Sequence, residues 1–516
     1  MRAPSHSNEP ASVIAPSKPR SRKRVIEGAH GTDVIPETAL EPLEKKEPMS
    51  NGRFEYDVCV IGAGPGGYVA AIRAAQHGLH TACVEKSHLG GTCLNWGCIP
   101  SKVMIAAVER FEQVKHADKM GIELPGQPAF DFAKMMDRKD KVVDAQRRGI
   151  AALFKKNKVD HLQGQAVFLD PNTVELVAEG EKRRVTARNF IIATGSSAVR
   201  IPIPGLTGDN VWTSDDAVTA TSVPKRMLIL GGGAVGCEFA YVFSGAGAEV
   251  TLVEMMPNLV PMMDEDLGKE LAKLFGRSKI KVHLNSTLER CERNTDGWHC
   301  FVTTPDGVTE VVVDVVLLGV GRRANTEGLN VEKVGVHLHK RGIEVINERM
   351  QTHVPHIYAI GDVIGKIQLA HVASAEGLVA AANCAGIPAE MSYKAVPDVV
   401  YTAPELAAVG MTEKAAAEAG RPLKIGRFAF RPLGRAMAAL EQEGFVKVVA
   451  DAEHGEVLGV HMIGPHASSL IHEAVAAVQM EATLEELERT IHAHPSFAEA
   501  LGEAIHDAQG HAIHKA

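Results

Sequence analysis

The sequence predicts an α/β protein in which one nucleotide-binding unit occurs twice and an α+β region follows. The first observation is an apolar strand that runs into Gly62–Gly67 (GAGPGG), a helix, and a second strand that ends at Glu85. The second is the same succession at Gly231–Gly236 (GGGAVG), with its acid, Glu254, equally far from the first glycine. The third is a change in the predicted secondary structure at residue 396, where short strands and amphipathic helices begin. Strand, GxGxxG turn, helix and strand-end acid form a Rossmann-like unit, so two bound dinucleotides are expected.

Three glycines in each of the two turns, six in all, have matching roles. In each unit the first glycine permits the tight turn, the second lets a pyrophosphate approach the backbone, and the third lets the helix pack on the strand. The positions are Gly62, Gly64 and Gly67, and then Gly231, Gly233 and Gly236. The helix after each turn presents its N-terminus to the phosphates, so both turns are predicted phosphate sites.

The acids that close the two units predict which ribose each unit binds. Glu85 and Glu254 are placed to accept hydrogen bonds from ribose hydroxyls. A carboxylate at position 254 would repel a 2′-phosphate, and Met255, Met256 and Pro257 provide no arginine to hold one. The second unit is therefore predicted to prefer NAD over NADP.

Length, charge and composition limit the number of domains and the kinds of partner that the protein can have. The chain has 516 residues, enough for three or four domains, and a net charge of −8, which argues against nonspecific nucleic-acid binding. No apolar run is long enough to span a bilayer. Residues 1–50 are rich in Pro, Ser, Ala and charge, so a disordered tail is expected there. The basic first half of the tail fits a mitochondrial transit peptide only loosely, since it lacks an amphipathic apolar face, and the second half is acidic. Met49 is an alternative start.

Short strands are expected between the two units and after the second. Residues 161–189 should alternate between strands and turns, and residues 190–196 (FIIATGS) should form a buried strand that ends in a turn. Residues 311–318 are expected to form one further buried strand. Asp362 ends the strand IYAIGD, where it can face a cofactor hydroxyl or phosphate, although an isolated Asp there is more often a helix cap.

Two cysteines five positions apart, Cys93 and Cys98, lie in the segment GGTCLNWGCIPSK. No second pair at metal-ligand spacing accompanies them, so redox chemistry is favoured, with two inert buried thiols as the alternative. On an ideal helix residues five apart are about 8–9 Å apart, whereas a disulfide needs Cα atoms within about 7 Å. The segment is therefore expected to be distorted around Asn95 and Gly97. Cys93 should lie near the start of a helix that runs to Phe111, whose N-terminus would stabilise a thiolate.

The other cysteines show no paired spacing and are expected to be structural thiols. They are Cys59, Cys83, Cys237, Cys291, Cys300 and Cys384. No metal site is predicted, and the C-terminal histidines His506, His511 and His514 are expected to form a solvated tail.

The C-terminal region carries a candidate base. His494 is followed by Pro495, and Glu499 stands five positions on, where its carboxylate can orient an imidazole. No nucleophile is close to them in sequence, so the cysteine pair is the candidate nucleophile.

Together these motifs resemble the pyridine nucleotide–disulfide oxidoreductases over about residues 54–514. GGTCLNWGCIPSK is the most specific match, and ATGS, YAIGD and HAHP…E also agree. The resemblance implies an FAD-binding domain, an inserted NAD-binding domain, a central segment that completes the FAD domain, and a dimerisation domain. The expected bounds are residues 51–198, 199–326, 327–395 and 396–516.

The resemblance also implies the reaction. A dihydrolipoyl group on an acyltransferase or a lipoyl carrier protein would be oxidised, and NAD⁺ reduced, in the service of a 2-oxo acid dehydrogenase complex. His494, oriented by Glu499, would remove a thiol proton, and the substrate would attack Cys93 to form a mixed disulfide. Cys98 would pass electrons to FAD. In the family this histidine comes from the other subunit, so the active site would exist only in a homodimer.

Further residues are assigned from their positions in the family's motifs. Lys102 and Glu238 are expected to form an ion pair beside the flavin ring. The expected FAD contacts are Gly62, Gly64, Gly67, Glu85, Thr92, Lys102, Thr194, Gly195 and Asp362. The expected NAD contacts are Gly231, Gly233, Gly236, Glu254 and Gly321.

Two other functions stay open at this point. One is an NADH-dependent reductase of another small disulfide, and the other is a non-catalytic flavoprotein subunit of an acyl-transfer complex. Intact Cys93, Cys98, His494 and Glu499 argue against the second. A cytoplasmic location is expected, with the mitochondrial matrix as the alternative, and neither nucleic acid nor membrane is an expected partner.

Overall fold

The computed structural model describes residues 53–515, and the predicted tail at residues 1–50 lies outside them. No helix in the described part of the chain is long and apolar enough to cross a membrane. The described residues form two Rossmann-like sheets and an antiparallel C-terminal sheet, so the predicted fold class is confirmed.

The first unit is built on a buried parallel sheet. Its elements are β1 (Tyr56–Ile61), α1 (Pro65–Gln76), β2 (Thr81–Glu85), α2 (Gly91–Asn95), α3 (Cys98–Lys115), α4 (Phe132–Asn157), β3 (Asp160–Gln163), β4 (Gln165–Asp170), β5 (Thr173–Ala178), β6 (Glu181–Ile192) and β7 (Ser196–Ala198). Strands β3, β2, β1 and β6 run parallel in that order, and β5 and β4 continue the sheet antiparallel. Every residue of β1 is buried, as a central parallel strand requires.

The second unit repeats the parallel core and adds a small antiparallel sheet. Its elements are β8 (Val211–Trp212), α5 (Ser214–Ala217), β9 (Arg226–Leu230), α6 (Ala234–Gly245), β10 (Glu249–Val253), α7 (Glu265–Arg277), β11 (Lys281–His283), β12 (Thr287–Asn294), β13 (Gly297–Thr304), β14 (Gly307–Val313), β15 (Val315–Leu318) and β16 (Arg322–Ala324). The parallel order is β11-β10-β9-β15-β8, and β12, β13 and β14 form the separate sheet. Strand β16 returns to pair with β7 of the first unit.

The chain then completes the first sheet. This part contains β17 (Leu338–His339), β18 (Gly342–Ile343), β19 (Ile357–Ala359) and α8 (Ala370–Cys384). Strand β19 pairs in parallel with β6. Helix α8 packs closely on α1, because a Cβ at Gly377 would lie 2.6 Å from the carbonyl oxygen of Gly66. The first nucleotide-binding unit is therefore assembled from two distant stretches of sequence.

The C-terminal region forms one antiparallel sheet covered by helices. Its elements are β20 (Asp398–Val400), β21 (Glu405–Gly410), α9 (Glu413–Glu418), β22 (Leu423–Ala429), α10 (Gly434–Ala439), β23 (Phe445–Asp451), β24 (Val457–Gly464), α11 (Ala467–Gln479), α12 (Leu484–Glu488) and α13 (Glu499–Ala508). The strand order is β20-β21-β24-β23-β22. The α+β prediction is confirmed, and the domain bounds expected from the resemblance stay predictions.

Two predicted elements are wrong in detail. Residues 311–318 do not form one strand, because the chain leaves β14 at Val313 and enters β15 at Val315. Asp314 between them accepts hydrogen bonds from the backbone N–H and side chain of Arg226, at 2.8 and 2.7 Å. This contact turns the chain from the antiparallel sheet into the parallel one.

The helix expected from Cys93 to Phe111 is also two helices. The first, α2, ends at Asn95, and the second, α3, begins at Cys98. Trp96 and Gly97 between them have non-helical backbone angles, with Gly97 at φ −132° and ψ −113°. The predicted distortion is thus present, but it is Cys98 and not Cys93 that stands at the N-terminus of the long helix.

Candidate active site

The two glycine turns have the same backbone geometry. Gly62 and Gly231 have φ values of +103° and +104°, and a Cβ at either position would lie within 2.5 Å of a backbone carbonyl oxygen. A Cβ at Gly67 would lie 1.8 Å from the carbonyl oxygen of Gly62, and one at Gly236 the same distance from that of Gly231. Only glycine fits these four positions, as the predicted turn and helix packing require.

The two acids predicted to bind ribose, Glu85 and Glu254, accept hydrogen bonds from backbone N–H groups at matching positions. One oxygen of Glu85 accepts a hydrogen bond from the backbone N–H of Ala63 and the other from Ser87, both at 2.8 Å. Both side chains are nearly inaccessible to solvent, and Glu254 repeats the arrangement with the N–H groups of Gly232 and Met256, at 2.6 and 2.7 Å. Each carboxylate oxygen can accept a further hydrogen bond, so both acids remain able to bind a ribose hydroxyl.

The middle glycines differ between the units. A Cβ on Gly64 would lie 3.9 Å from the Cα of Gly91, at the start of α2, and a Cβ on Gly91 would come 2.6 Å from the Gly64 Cα. A Cβ on Gly233 would meet no atom within 4 Å. We call α2, which contacts Gly64 through Gly91 and carries Cys93, the roof of the first turn. The second turn has no such cover, because a Cβ on Gly233 would meet no atom of the described residues within 4 Å. No side chain in the described part of the chain caps the N-terminus of α1 or of α6, which fits the binding of the pyrophosphates of FAD and NAD by the backbone N–H groups there.

The end of β6 forms a hydrogen-bonded cluster with Asp362. The Ser196 hydroxyl donates to the Asp362 carboxylate, and Arg322 donates to the Ser196 hydroxyl and carbonyl oxygens, both at 2.7 Å. The Thr92 hydroxyl donates to the same carbonyl at 3.5 Å. Thr92 and Asp362, predicted as FAD contacts, thus meet around Ser196, and Arg322 joins them. Sequence reasoning missed Arg322, although it directly follows the predicted Gly321.

The ATGS turn is also hydrogen-bonded to Asn325, which follows the last strand of the second unit. The Thr194 hydroxyl donates to the carbonyl oxygen of Asn325 at 2.7 Å, and the Asn325 side-chain amide donates back to the Thr194 carbonyl at 3.0 Å. Gly195 has a φ of +68°, and Asn325 N–H donates to its carbonyl at 2.9 Å. Gly321, the predicted extra NAD contact, has a φ of +107° with open space where a Cβ would stand.

A buried acid, Glu376, holds the backbone next to Asp362. Glu376 on α8 accepts hydrogen bonds from the Gly361 N–H at 2.6 Å and from the Tyr393 hydroxyl at 2.7 Å. Burial raises the pKa of Glu376, and these two hydrogen bonds oppose the rise. Sequence reasoning missed Glu376, and no motif marks it.

The two cysteines of the motif are in contact. Cys93 donates a thiol hydrogen bond to Cys98, which lowers the pKa of Cys98 to about 7, and the Lys102 ammonium acts in the same direction while burial opposes it. The same hydrogen bond and burial raise the pKa of Cys93. Cys98 also stands at the N-terminus of the 18-residue helix α3, where partial positive charge favours a thiolate. The thiolate of the pair therefore resides on Cys98.

An ion pair lies next to these thiols. The Lys102 ammonium contacts both carboxylate oxygens of Glu238, at 2.9 and 2.8 Å. Glu238 is buried on α6 and also accepts a hydrogen bond from the Tyr401 N–H at 3.1 Å. The ammonium lies 4.4 Å from the centroid of the Tyr401 ring. Lys102 and Glu238, which the sequence paired, are thus in contact in the structure. Through Tyr401 this ion pair links the two nucleotide-binding units to the C-terminal region.

His494 and Glu499, which the sequence predicts as a base and its orienting acid, are in hydrogen-bond contact. Nδ1 of His494 lies 2.8 Å from one oxygen of Glu499, and the other oxygen accepts the Ser496 N–H at 2.8 Å. Burial raises the pKa of Glu499, but these two hydrogen bonds outweigh it and leave the pKa low. The His494 side chain is 79% exposed, so its Nε2 faces solvent. Within residues 53–515 no hydrogen bond or ion pair joins His494 to Cys93 or Cys98.

Two other histidine groups differ from expectation. His511 and His514 are exposed, as expected for a solvated tail, although each also contacts a carboxylate, Glu488 at 2.9 Å and Glu503 at 2.8 Å. His506 departs from the expectation, because it lies within α13 and is partly buried. A separate exposed cluster, His337, Glu344 and His353, holds its potential ligand atoms within 4.8 Å of one another. Such a cluster could hold a metal ion, whereas the sequence predicted none.

Comparison with known proteins agrees with this geometry. Residues 56–377 match the family described as pyridine nucleotide-disulphide oxidoreductase, and residues 396–505 match its dimerisation domain. The chain is 43% identical to dihydrolipoyl dehydrogenase of Haloferax volcanii, with 89% of this chain and 97% of that protein covered. It is 44% identical to dihydrolipoyl dehydrogenase of Thermus scotoductus, with 89% and 98% covered. A solved structure of the HOCl-induced flavoprotein disulfide reductase RclA from Escherichia coli is 26% identical, with a TM-score of 0.77 and 87% and 99% covered.

Proposed function

The chain belongs to the pyridine nucleotide–disulphide oxidoreductase family, and we propose that it acts as a dihydrolipoyl dehydrogenase that transfers electrons from a dihydrolipoyl group to NAD⁺. It is an oxidoreductase with FAD and NAD as cofactors and with a dimerisation domain that supports a homodimer. The observation that carries the proposal is the contact of Cys93 with Cys98 at the break between α2 and α3, beside the Lys102–Glu238 ion pair.

The unequal pKa values of the two cysteines assign their roles. In the oxidised enzyme the pair is a disulfide, and one thiolate of the substrate attacks the sulfur of Cys93. Cys98 leaves as the thiolate, because a thiol of low pKa is the better leaving group. The second substrate thiolate then attacks the substrate's own sulfur in the mixed disulfide, and Cys93 is released. Two electrons have moved from the substrate to the cysteine pair.

The remaining residues hold the charge and the proton. Lys102 stabilises the Cys98 thiolate, and the buried Glu238 carboxylate fixes the ammonium in place. When bound, FAD supplies the two-electron path between the Cys98 thiolate and NAD⁺. Nδ1 of His494 faces Glu499, so Nε2 is the nitrogen left to take the substrate's thiol proton. Glu499 stabilises the imidazolium that results.

The exposed position of His494 supports a site shared between subunits. In this proposal Nε2 of His494 reaches the cysteine pair of the second copy, which the dimerisation domain brings close. The protein partner is the lipoyl-bearing domain of an acyltransferase or a lipoyl carrier protein. A cytoplasmic location stays a prediction, because the N-terminal tail lies outside the described residues.

The test is NADH formation by the purified full-length flavoprotein given dihydrolipoamide and NAD⁺, with NADP⁺ in parallel. Turnover with NAD⁺ and loss of at least about a thousandfold in kcat for Cys98→Ser would support the disulfide route. A protein whose flavin is reduced by NADH but that does not oxidise dihydrolipoamide would contradict the substrate. A Cys98→Ser protein with normal turnover would contradict the mechanism.

A further inference from the structure

A second pair of cysteines lies in the small antiparallel sheet of the second unit. Cys291 on β12 and Cys300 on β13 stand directly opposite each other in the strand register. Their sulfur atoms are 3.5 Å apart, and both residues are buried. The sequence suggested unpaired structural thiols, but the hairpin brings these two together.

The register also shows that the pair can be joined. The N–H of Cys291 donates to the carbonyl of Pro204 at 2.8 Å, and the Cys291 carbonyl oxygen would lie 1.8 Å from a Cβ on Gly205. Both backbone groups of Cys291 therefore point away from Cys300, which defines a non-hydrogen-bonded pair. The Cα atoms of such a pair are about 4.5 Å apart. That distance falls within the range of about 4.4–6.8 Å that disulfides span.

The chemistry of the two thiols is also unequal. The hydrogen bond between the two thiols lowers the pKa of Cys291, against the effect of burial, and the same bond together with burial raises the pKa of Cys300. The thiols of Cys59, Cys237 and Cys384 are instead raised in pKa chiefly by burial, and no hydrogen bond within residues 53–515 joins them to another cysteine. The two thiols thus differ in pKa, with that of Cys291 the lower, and their sulfur atoms are already in contact.

We propose that Cys291 and Cys300 form a second oxidisable dithiol, which hydrogen peroxide converts to a cross-strand disulfide. The Cys291 thiolate attacks one peroxide oxygen, the O–O bond breaks, one water leaves after protonation, and Cys291 becomes a sulfenic acid. The sulfur of Cys300 then attacks the sulfur of Cys291, and a second water leaves. The two thiols lose two electrons and two protons, and the peroxide is reduced to two waters. This site lies outside the proposed dihydrolipoyl reaction and does not depend on it.

The experiment maps disulfides in the reduced, desalted full-length protein after exposure to hydrogen peroxide. The reaction is stopped with N-ethylmaleimide in denaturant, and the protein is digested with trypsin without reductant. Cleavage after Arg290 and Arg293 places Cys291 in a tripeptide and Cys300 in the peptide Asn294–Arg322. A Cys291–Cys300 disulfide therefore links two peptides, and the linked mass identifies it.

The chain supplies its own positive control. Cys93 and Cys98 share the tryptic peptide Ser87–Lys102, so their oxidation appears as an internal disulfide in one peptide. We expect most of the Cys291 tripeptide to be recovered linked to Cys300 in the wild type and in Cys384→Ser. In Cys300→Ser the link is lost, while the flavin and dihydrolipoamide turnover remain.

Two outcomes would overturn the proposal. The first is recovery of Cys291 and Cys300 both labelled with N-ethylmaleimide, under conditions in which Ser87–Lys102 has become an internal disulfide. The second is linkage of Cys291 to cysteines other than Cys300, which would mean that oxidation follows unfolding.

Discussion

The two nucleotide-binding units share their turns and their acids and differ in what covers them. Gly62 and Gly231 have nearly the same φ, and both strand-end acids accept two backbone N–H groups at matching positions. Above the first turn lies Gly91 of α2, whereas the space above Gly233 is open. Helix α8 further encloses α1 through the contact of Gly377 with Gly66.

The difference in cover suggests that recognition and release of a dinucleotide depend on different features: the turn and acid for recognition, and the cover over the turn for release. The repeated turn and acid are common to both units, and we infer that they recognise the dinucleotide in each. The roof over the first unit includes the segment with the redox cysteines, so release of the first dinucleotide would require that segment to move. The open second unit can exchange its dinucleotide in every catalytic cycle. We infer that FAD is retained and that NAD is exchanged.

The largest expected effect comes from placing a methyl group at the third glycine of each turn. A Cβ at Gly67 or at Gly236 would lie 1.8 Å from a backbone oxygen, so overpacking should cost about 1–3 kcal/mol or more in either unit. Gly67→Ala should purify with little flavin. Gly236→Ala should retain flavin and lose at least about a hundredfold in kcat/KM for NAD⁺, which corresponds to about 2.7 kcal/mol. Flavin-to-protein absorbance ratios and NADH assays measure both, and loss of flavin from both variants would contradict the separation of the units.

The next effect tests the roof. Gly91→Ala forces a left-handed residue, at φ +57°, against Gly64, and the backbone cost alone is about 1–2 kcal/mol. We expect roughly a tenfold increase in the FAD dissociation constant and an unchanged KM for NAD⁺. Gly121→Ala is the matched control, because Gly121 also has a positive φ, +75°, but open space around it. Equal flavin loss in the two variants would show that the backbone angle and not the roof matters.

A third variant pair addresses the acids. Glu254→Gln keeps the shape of the side chain but removes the charge that repels a 2′-phosphate, so the ratio of kcat/KM for NAD⁺ over NADP⁺ should fall about tenfold. Glu85→Gln should leave that ratio unchanged and weaken FAD retention. A ratio that does not move in Glu254→Gln would show that this acid does not set the cofactor preference.

The smallest expected effect is on the rate of alkylation of Cys98, which with Cys93 forms the dithiol of the first unit. The Cys98 thiolate is the reactive form, so alkylation of the reduced enzyme by iodoacetamide should rise with pH through about 7 and level off above it. Lys102→Met removes the stabilising ammonium, which should raise the pKa and slow alkylation at pH 7 by a few-fold. A rate that rises only near pH 9 in the wild type would contradict the lowered pKa. Cys59→Ser serves as a control for alkylation elsewhere.

The parts that sequence could predict are those governed by local constraints. The glycine turns, β1, β2, β9 and β10 follow from residues that are neighbours in the chain, and the structure confirms them. The spacing of Cys93 and Cys98 required a break in the helix because five residues on an ideal helix are too far apart for a disulfide. The structure has that break at Trp96 and Gly97.

The missed features depend on contacts between distant residues. Arg322 reaches Ser196 across 126 positions, and Asn325 meets Thr194 across 131. Asp314, which separates β14 from β15, is bound by Arg226, 88 positions away. Cys291 and Cys300 are close in sequence, yet they become partners only through the register of a hairpin. No local pattern of residue types carries such information.

The exposed imidazole of His494 contacts Glu499 but, within residues 53–515, neither Cys93 nor Cys98 of its own chain, and this arrangement has a genetic consequence. If each catalytic centre draws its base from one copy and its dithiol from the other, two different defective alleles can complement each other. A cell that expresses one chain with Cys98→Ser and one with His494→Gln would form mixed dimers in which one of the two centres is intact. Such a cell would recover part of the activity that neither allele supplies alone.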